Sequence, residues 1–293
     1  MLYSVKELFR PERLEDALRY LSEHPDARPL AGGTDVLVDL RRRRPEDVRL
    51  VSLEKLPELR GIRRRSDGTT EIGAYTTFTE LASDPAIALR APMLRTAALA
   101  MGGPQIQNAA TIGGNLCNGA TSADSAPALF ALDAVLVLQS ASGKRRLPIS
   151  GFYDGPGRVR RRADELLISL ELPPCAAERH GDCYIKFSTR KAMDLALIGC
   201  AAACELTPDG VFSSIAVALG VAAPTPVRAA EAEAFLLGRR PTPALLEEAG
   251  RLALRSCSPR SSWRASREYR EQIIRTLTRR AVLAAYEMAG GVM

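Results

Sequence analysis

Two segments of the chain are rich in glycine and poor in side chains that could build a core. The first reads LAGGTD at residues 30–35, and the second reads TIGGNLCNGATSAD at residues 111–124. Small side chains let a backbone approach a ligand closely, and successive N–H groups at such turns can point at one anion. Two backbone nests of this kind could together hold a pyrophosphate. Asp124, the one charged residue of the second segment, could accept hydrogen bonds from ribose hydroxyls.

A plainer explanation is that both segments are tight turns in which glycine supplies a positive φ. For either segment alone, that explanation is the simpler one. The second segment is much longer than a turn requires, however, and its length favours a binding role for the pair. The two standard nucleotide fingerprints, G-x-G-x-x-G and G-x-x-x-x-G-K-[ST], are both absent.

Other kinds of site chemistry find little support in the sequence. The six cysteines contain no C-x-x-C, and His24 and His180 are not at ligand spacing from any of them, so neither zinc nor an iron–sulfur cluster is expected. Cys117 has no histidine near it in sequence, no G-x-S-x-G occurs, and no paired carboxylates stand out. We expect no catalytic side chain and no metal ligand in this chain.

The net charge of +6 raises the question of a nucleic-acid partner. Arginine clusters occur at 41–44, 63–65 and 158–162. None is interleaved with aromatic residues, which make up only 5% of the chain and on which bases would stack. We interpret the clusters as solvated faces or subunit contacts and expect no nucleic acid. A basic nucleic-acid-binding module is the competing class of function.

Length and hydropathy place the chain among globular proteins. Its 293 residues suffice for roughly two domains. No apolar run approaches the about 18 residues that a membrane span needs. Charges come too early and too often near the N-terminus for a signal peptide. We therefore expect a cytoplasmic protein with no membrane partner.

Apolar periodicity predicts an α/β unit around the first glycine segment. Residues 13–24 have the spacing of an amphipathic helix, which Pro25 ends. A short strand then leads into the glycine segment, and a helix begins near Thr34, with Thr34 or Asp35 as its cap. Residues 48–56 give a further strand.

The middle of the chain predicts a second, strand-rich unit around the second glycine segment. A Ser-Asp-Gly turn within residues 61–78 predicts a hairpin. Short helices precede the glycine segment, and a strand, a Ser-Gly turn and another strand follow it. A strand near 164–173 closes this unit, and residues 173–182 read as a linker.

The last hundred residues predict a separate domain. Three apolar strands, near 184–190, 196–206 and 214–222, are followed by three helices that extend to about residue 290. A block of strands followed by a block of helices is typical of an α+β arrangement.

Five stretches together resemble a known family. They resemble the FAD-binding subunit of bacterial three-subunit xanthine dehydrogenases, one of the medium, flavin-carrying subunits of the molybdenum hydroxylases. The resemblance runs over essentially the whole chain and in the same order. GGN after a strand is shared broadly by these flavoproteins, whereas NGATSADSAPAL and PRSSWRAS are typical of the xanthine dehydrogenase branch. The stretches are LAGGTDVLVDL, GPQIQNAATIGGNLCNGATSADSAPALFALDA, KFSTRKAMDLALIGCAA, LGVAAPTPVRA and PRSSWRASREYR.

The resemblance implies an α+β fold of two domains. Residues 1–176 would form an FAD-binding domain of the vanillyl-alcohol oxidase and p-cresol methylhydroxylase type, with FAD between subdomains of about 1–57 and 58–176. Residues 183–290 would form a C-terminal domain of three strands and a helical bundle.

The resemblance also implies which residues bind FAD. Residues 28–36 and 111–115 would wrap the pyrophosphate from opposite sides. Met101 would line the flavin or adenine site, and Asp124 would contact ribitol or ribose. Leu167 and Lys186 would be more distant contacts. The implied FAD-binding residues are Arg28, Pro29, Leu30, Ala31, Gly32, Gly33, Thr34, Asp35, Val36, Met101, Thr111, Ile112, Gly113, Gly114, Asn115, Cys117, Asn118, Asp124, Leu167 and Lys186.

The function implied by the resemblance is electron transfer. Electrons from a hydroxylated purine would reach this FAD through [2Fe-2S] clusters and then reduce NAD⁺. The chain is too short to include a molybdopterin domain, so molybdopterin and the clusters would lie on partner subunits of a higher-order hetero-oligomer. The alternative within this class is a dehydrogenase for another azaheterocycle, an aldehyde or carbon monoxide.

Overall fold

The computed structural model describes residues 4–175 and 177–292, whose strands form three larger sheets and one short two-stranded ribbon. Helices pack between and beside the sheets, so the α+β fold class predicted from the sequence is confirmed. Each larger sheet belongs to a different stretch of the chain.

The first unit is a small parallel sheet with the strand order β1–β3–β2. The amphipathic helix predicted over 13–24 is confirmed, and it buries Leu14, Leu18 and Leu21. The helix predicted near Thr34 begins at Val36, and Asp35 holds the cap position without a side-chain capping bond. Strand β1 was not predicted. The elements are β1 (Val5–Phe9), α1 (Leu14–Glu23), β2 (Arg28–Leu30), α2 (Val36–Arg43) and β3 (Val48–Ser52).

The second unit is an antiparallel sheet with the order β4–β5–β10–β6–β7, and every residue of its central strand β10 is buried. The hairpin predicted over 61–78 is confirmed as β4–β5. The elements are β4 (Ile62–Arg64), β5 (Thr70–Gly73), α3 (Phe78–Ser83), α4 (Pro85–Arg90), α5 (Pro92–Ala100), α6 (Pro104–Ala109), α7 (Ile112–Asn118), α8 (Ser125–Ala131), β6 (Val135–Ser140), β7 (Gly143–Pro148), β8 (Tyr153–Gly155), β9 (Arg158–Val159) and β10 (Leu166–Leu172).

The first half of the second glycine segment is helical and forms α7. Thr111 caps α7 by accepting the Gly114 N–H, and Gly119, at a φ of 65°, ends that helix in the left-handed conformation that favours glycine. Helix α8 starts immediately after Asp124. The length of the segment therefore comes from one short helix, α7, and from residues 119–124, which connect it to α8.

The third unit is an antiparallel sheet, β11–β12–β13–β14, covered by three helices. The three predicted strands are present, and the two-residue strand β14 adds a fourth at the edge. Strand β11 begins at His180, so the predicted linker 173–182 is shorter than expected. Residue 176 of that linker lies outside the described residues. The elements are β11 (His180–Phe187), β12 (Ile198–Leu206), β13 (Phe212–Gly220), β14 (Val227–Arg228), α9 (Ala230–Leu236), α10 (Pro243–Ala253) and α11 (Arg267–Met288).

The second and third units are joined closely. The Met93 N–H, in the first turn of α5, donates to the Asp182 carboxylate of β11 at 2.8 Å. Helix α8 packs on β12 and β13, where a Cβ at Gly220 would lie 2.8 Å from Pro127. The C-terminal sheet therefore stands directly beside the second glycine segment.

Candidate functional site

A cleft of about 680 Å³ brings all three units together. Residues from the β2–α2 connection form one side of it, and α7 with the Asp124 region forms the other. The β11–β12 loop and the loop before α11 reach its mouth through Arg190, Met193 and Arg264. Both glycine segments thus face one space, although some 80 residues separate them in the sequence.

The first glycine segment presents a run of unpaired backbone donors to this cleft. Within the part of the chain that the structure describes, the N–H groups of residues 31–35 donate to no other protein group. Each of these residues lines the cleft, and residues 31–34 are half-buried. Native structures pair nearly all of their sheltered N–H groups, so consecutive unpaired donors are typical of an anion site.

The glycine pair fixes the shape of that run. Gly33 has a φ of 74°, in the left-handed region, and so turns the chain between β2 and α2. A Cβ at Gly32 would overlap the backbone oxygen of Ala109, at the end of α6. The first segment therefore needs glycine at both positions, one for the turn and one for a close approach to α6.

The backbone N–H groups at the start of the second glycine segment are hydrogen-bonded inside the protein. Ile112 and Gly113 donate to backbone oxygens just after β5, at 2.9 and 2.8 Å. Gly114 donates to the Thr111 hydroxyl at 3.1 Å. The sequence prediction of a second backbone nest is therefore wrong at these positions. These bonds anchor the start of α7 to the sheet instead.

Gly113, in the second segment, serves close packing rather than a turn. A Cβ at Gly113 would lie 2.6 Å from the Cβ of Ala74, so only glycine lets α7 approach the sheet this closely. A Cβ at Gly114 would lie 4.0 Å from the Cβ of Ala31 in the first segment. Gly114 is therefore the point at which the two segments meet across the cleft.

Side chains replace backbone donors on the α7 side of the cleft. The Thr111 hydroxyl accepts from Gly114, which leaves its own proton to donate. The Asn115 Oδ1 accepts from the Ser125 hydroxyl at 2.6 Å, which leaves its amide NH₂ to donate. Thr111 and Asn115 both line the cleft.

Asp124 is held by two residues of the C-terminal sheet. Its carboxylate accepts from the Tyr184 hydroxyl at 2.8 Å and from Lys186 Nζ at 2.8 Å. The Lys186 ammonium also donates to Ala100 O at 2.9 Å. Burial raises the pKa of Asp124, and Lys186 and Tyr184 oppose that rise by stabilising the ionised form. A carboxylate has further lone pairs, so Asp124 can still accept from a ligand in the cleft.

Cys117 lines the cleft as a neutral thiol. Burial raises its pKa to about 11, and the Arg161 charge opposes the rise only weakly. A thiolate is the nucleophilic form, and little of it exists at neutral pH when the pKa is so high. The thiol is thus suited to contact with a ligand and poorly suited to nucleophilic attack.

Most residues implied by the resemblance come together in the cleft. All of them line it except Leu30, Ile112 and Lys186. The Leu30 oxygen accepts from Leu53 behind the cleft wall, and the Ile112 side chain is fully buried in the core. Lys186 lies behind Asp124, so its link to the cleft is indirect.

Several residues that line the cleft were not identified from the sequence. Arg161 belongs to the cluster at 158–162, and its guanidinium donates to three nearby backbone oxygens. Arg190, Met193 and Arg264 come from the third unit. No local motif marks them as binding residues. Only the family resemblance could have indicated Arg190, Met193 and Arg264 from the sequence. They lie inside two of the stretches that carry it, KFSTRKAMDLALIGCAA and PRSSWRASREYR.

The arginine clusters are partly occupied by intramolecular ion pairs. Arg42 and Arg43 both pair with Asp39 on α2. Arg65 pairs with the buried Glu171 at 2.8 Å. These pairs leave less free charge for a phosphate backbone than the sequence count suggests.

Across residues 4–175 and 177–292, no group of three or more histidine, cysteine and acidic side chains could hold a metal ion. Over the same residues, no helix combines the length and the apolar character needed to cross a membrane.

The sequence matches two family descriptions that together cover nearly all of the chain. Residues 3–175 match the FAD binding domain in molybdopterin dehydrogenase. Residues 183–285 match the CO dehydrogenase flavoprotein C-terminal domain. The chain belongs to the FAD-binding medium subunits of the molybdenum hydroxylases. The family resemblance seen in the sequence is thereby confirmed.

Individual members of this family resemble the chain over its full length. The xanthine dehydrogenase FAD-binding subunit of Escherichia coli O157:H7 is 43% identical over 290 residues, with 99% of each chain covered. A chain in the structure of carbon monoxide dehydrogenase from Hydrogenophaga pseudoflava is 31% identical, with a TM-score of 0.93 and 98% and 99% of the two chains covered. Quinoline 2-oxidoreductase from Pseudomonas putida 86 gives 27% identity and a TM-score of 0.91, with 99% of both chains covered.

The residues of the cleft fit the FAD of this family. The run of unpaired N–H groups at residues 31–35 offers donors to a pyrophosphate. Thr111 and Asn115 offer side-chain donors from the opposite side, and Asp124 offers an acceptor for hydroxyl groups. The volume of about 680 Å³ lies within the range of roughly 300–1,000 Å³ that is usual for small-molecule sites.

Proposed function

We propose that this chain is the FAD-carrying electron-transfer subunit of a xanthine dehydrogenase-type enzyme, which takes electrons from iron–sulfur clusters of a partner subunit and reduces NAD⁺. The observation that carries the proposal is the run of unpaired N–H groups at residues 31–35, which faces α7 across the cleft. When bound, FAD supplies the redox chemistry. Within this chain we assign no catalytic side chain to the reaction.

The residues of the chain bind and orient the cofactor. The donors of residues 31–35 would hold the pyrophosphate from one side, with Thr111 and Asn115 on the other. A hydrogen bond to a charged group contributes about 1.5–3 kcal/mol, so a few of them anchor a cofactor without a metal. Asp124, fixed by Tyr184 and Lys186, would orient the hydroxyl-bearing part.

The substrate of the complete enzyme is proposed from the degree of identity. The xanthine dehydrogenase relative is 43% identical over 99% of the chain. The nicotinate dehydrogenase FAD-subunit of Eubacterium barkeri is 33% identical over 79%, and the glyceraldehyde dehydrogenase medium chain of Sulfolobus acidocaldarius is 29% identical over 93%. These values favour a purine over another azaheterocycle or an aldehyde. Purine chemistry itself would belong to a molybdopterin-binding subunit.

The proposal includes assembly and location. We expect a hetero-oligomer with a molybdopterin-binding subunit and an iron–sulfur subunit, because no metal-ligating cluster is found among the described residues of this chain. A cytoplasmic location fits the six cysteines, all of which are free thiols in the structure.

The experiment is a reconstitution with two assays. The isolated chain, loaded with FAD, is expected to transfer electrons from NADH to a dye and to leave xanthine unchanged. Addition of the molybdopterin-binding and iron–sulfur subunits is expected to give xanthine-dependent reduction of NAD⁺. Xanthine turnover by the isolated chain would overturn the proposal. A complete assembly that oxidises xanthine with dyes but never with NAD⁺ would overturn the choice of acceptor.

A further inference from the structure

One arginine of the cluster at 158–162 lines the cleft with its guanidinium held in place by the backbone. Arg161 follows β9 and is half-buried. Its Nη1 donates to Arg162 O at 2.8 Å and to Glu165 O at 2.7 Å, and it approaches Ala163 O at 3.5 Å. Because a guanidinium is planar and rigid, bonds from one of its nitrogens restrict the orientation of the whole group.

The rest of the Arg161 guanidinium is available to a ligand. Within the part of the chain that the structure describes, no hydrogen bond uses its Nε or Nη2, and no ion pair includes it. The buried Glu165 carboxylate is occupied by Arg145 at 2.6 Å and by the Arg162 N–H at 2.8 Å. The charge of Arg161 therefore has no acidic partner among the described residues.

Arg28 shows that this is not a general property of the arginines in the cleft. It also lines the cleft, but it pairs with Asp39 at 3.0 Å. A sheltered charge without a partner is costly, and a bound ligand can supply what the protein does not. Arg161 is thus the better candidate for direct contact with the cofactor.

The walls beside Arg161 are apolar. Its Nη1 donates to the oxygen of the residue directly before Leu166, and Leu166 packs with Leu53 and Leu59 in one buried cluster. All three leucines line the cleft. Burial raises the pKa of the Cys117 thiol to about 11, and Arg161 lies close enough for its charge to oppose that rise. A slot with apolar walls and one planar cation suits a flat aromatic ring, since guanidinium groups stack on aromatic faces.

The position of the leucine cluster indicates which ring of FAD it would receive. Ala31, the first residue of the run of unpaired N–H groups, packs against the same cluster, so this slot adjoins the donors for the pyrophosphate. The flavin must be reached by an electron donor and an acceptor, which favours the mouth of the cleft near Arg190 and Met193. The adenine exchanges no electrons and needs no such access. The buried leucine end is therefore suited to the adenine.

We propose that Arg161 is a further cofactor-contacting residue, whose guanidinium covers the adenine of FAD at the apolar end of the cleft. The backbone oxygens that hold Arg161 would fix its plane before the cofactor arrives, so little side-chain freedom is lost on binding. The inference rests on the FAD-carrying part of the proposed function. It does not depend on the electron donor or the electron acceptor.

The experiment compares two competitors of FAD on the apoprotein. ADP contains the adenine and a pyrophosphate, whereas inorganic pyrophosphate lacks the ring. Arg161→Gln is expected to weaken the binding of FAD and of ADP by about tenfold, as for the loss of a partly desolvated cation–π contact. The affinity for inorganic pyrophosphate is expected to stay within about twofold, because its donors at residues 31–35 are unchanged.

Two further variants separate the contact from charge and from folding. Arg162→Gln is the matched control, since Arg162 is exposed, lies next in the chain and does not line the cleft. Its affinity for ADP is expected to stay within about twofold of wild type. Arg161→Lys keeps the charge without the planar group and is expected to bind ADP less tightly than wild type. Urea unfolding of each apoprotein gives the folded fraction to which the affinities are referred.

The outcomes distinguish this inference from the proposed function. Equal affinities for ADP in Arg161→Gln and Arg162→Gln would overturn the contact. An equal loss for ADP and for inorganic pyrophosphate, or wild-type ADP affinity in Arg161→Lys, would assign Arg161 to the phosphates and overturn its place at the adenine. A wild-type chain that does not bind FAD would overturn the proposed function itself.

Discussion

The two glycine segments have similar compositions and opposite uses of their backbone. In residues 31–35 the N–H groups have no partner within the described chain, and they face the cleft. In residues 112–114 each N–H group is bonded inside the protein. One glycine pair shapes a turn that exposes donors, whereas the other lets a helix pack closely against a sheet.

A glycine pair beside a ligand site therefore does not by itself indicate that backbone N–H groups bind the ligand. The first segment connects a strand to a helix and has its donors free. The second begins at a capped helix whose first turn is already anchored to the sheet. We infer that the first segment holds its ligand through the backbone and the second through the side chains of Thr111, Asn115 and Asp124.

The largest expected effect comes from Gly32→Ala. A Cβ there overlaps the Ala109 oxygen, so the loop must move and its donors lose their alignment. Loss of two hydrogen bonds to a charged group amounts to roughly 3–6 kcal/mol, or more than about 100-fold in FAD affinity. Titration of the apoprotein with FAD measures this loss. Gly151→Ala, where a Cβ meets only an ordinary contact, is the control. An unchanged FAD affinity in Gly32→Ala would contradict the proposed binding role of the N–H groups at residues 31–35.

The second segment is expected to respond in the opposite way. Gly113→Ala places a Cβ 2.6 Å from Ala74 and is expected to destabilise the apoprotein by about 1–3 kcal/mol, as overpacking does. Gly114→Ala meets only the end of the Thr111 side chain within 3 Å, so its cost to apoprotein stability is expected to be below about 1 kcal/mol. Urea unfolding of both apoproteins measures the difference, and equal stabilities would refute the packing role of Gly113.

Two carboxylates, Asp124 and Asp182, lie where the second and third units meet, and their environments differ. Asp124 has a lysine partner, whereas burial raises the pKa of Asp182 to about 7, and the Met93 N–H only partly opposes it. Because the pKa of Asp182 in the folded protein exceeds its ordinary value of 3.8, Asp182 stabilises the fold at low pH, and this contribution is lost as the pH rises through about 7. Between about pH 5 and 7, wild type is expected to lose about 2 kcal/mol more than Asp182→Asn. Parallel stability curves for the two proteins would contradict this.

The smallest expected effect concerns the hydroxyl that holds Asp124. Tyr184→Phe is expected to destabilise the protein by about 1.5 kcal/mol at neutral pH, since it removes a hydrogen bond to a charged group. Tyr153→Phe is a matched control, because its buried hydroxyl has no partner and its removal costs nothing. Without the Tyr184 hydroxyl the pKa of Asp124 rises further. The loss of stability in Tyr184→Phe is therefore expected at pH values above that pKa. It is expected to vanish as acidification protonates Asp124. If the loss of stability does not depend on pH, Tyr184 stabilises the protein through packing alone.

The fold was predictable where the signal is local. The turn at Gly33 and the helix after it follow from a glycine pair between apolar patterns, and both are present, with the helix starting two residues later than Thr34. Helix α7 was missed because IGGNLCN has no amphipathic repeat. Its position is fixed by packing against Ala74, which lies far away in the sequence.

The site was predictable mainly through family resemblance, and its electrostatics were not. Lys186 was expected to contact the ligand, yet it acts through Asp124, a relation that depends on the docking of β11.

The pair of Asp124 and Lys186 has a consequence for how the protein is made. A growing polypeptide contains both glycine segments well before it contains Tyr184 and Lys186. Until β11 has left the ribosome and docked, the Asp124 carboxylate has neither of the side chains that fix it. An N-terminal fragment that ends before residue 180 would therefore hold its cofactor loosely. Stable incorporation of the flavin is expected to be a late event, after synthesis of the C-terminal sheet.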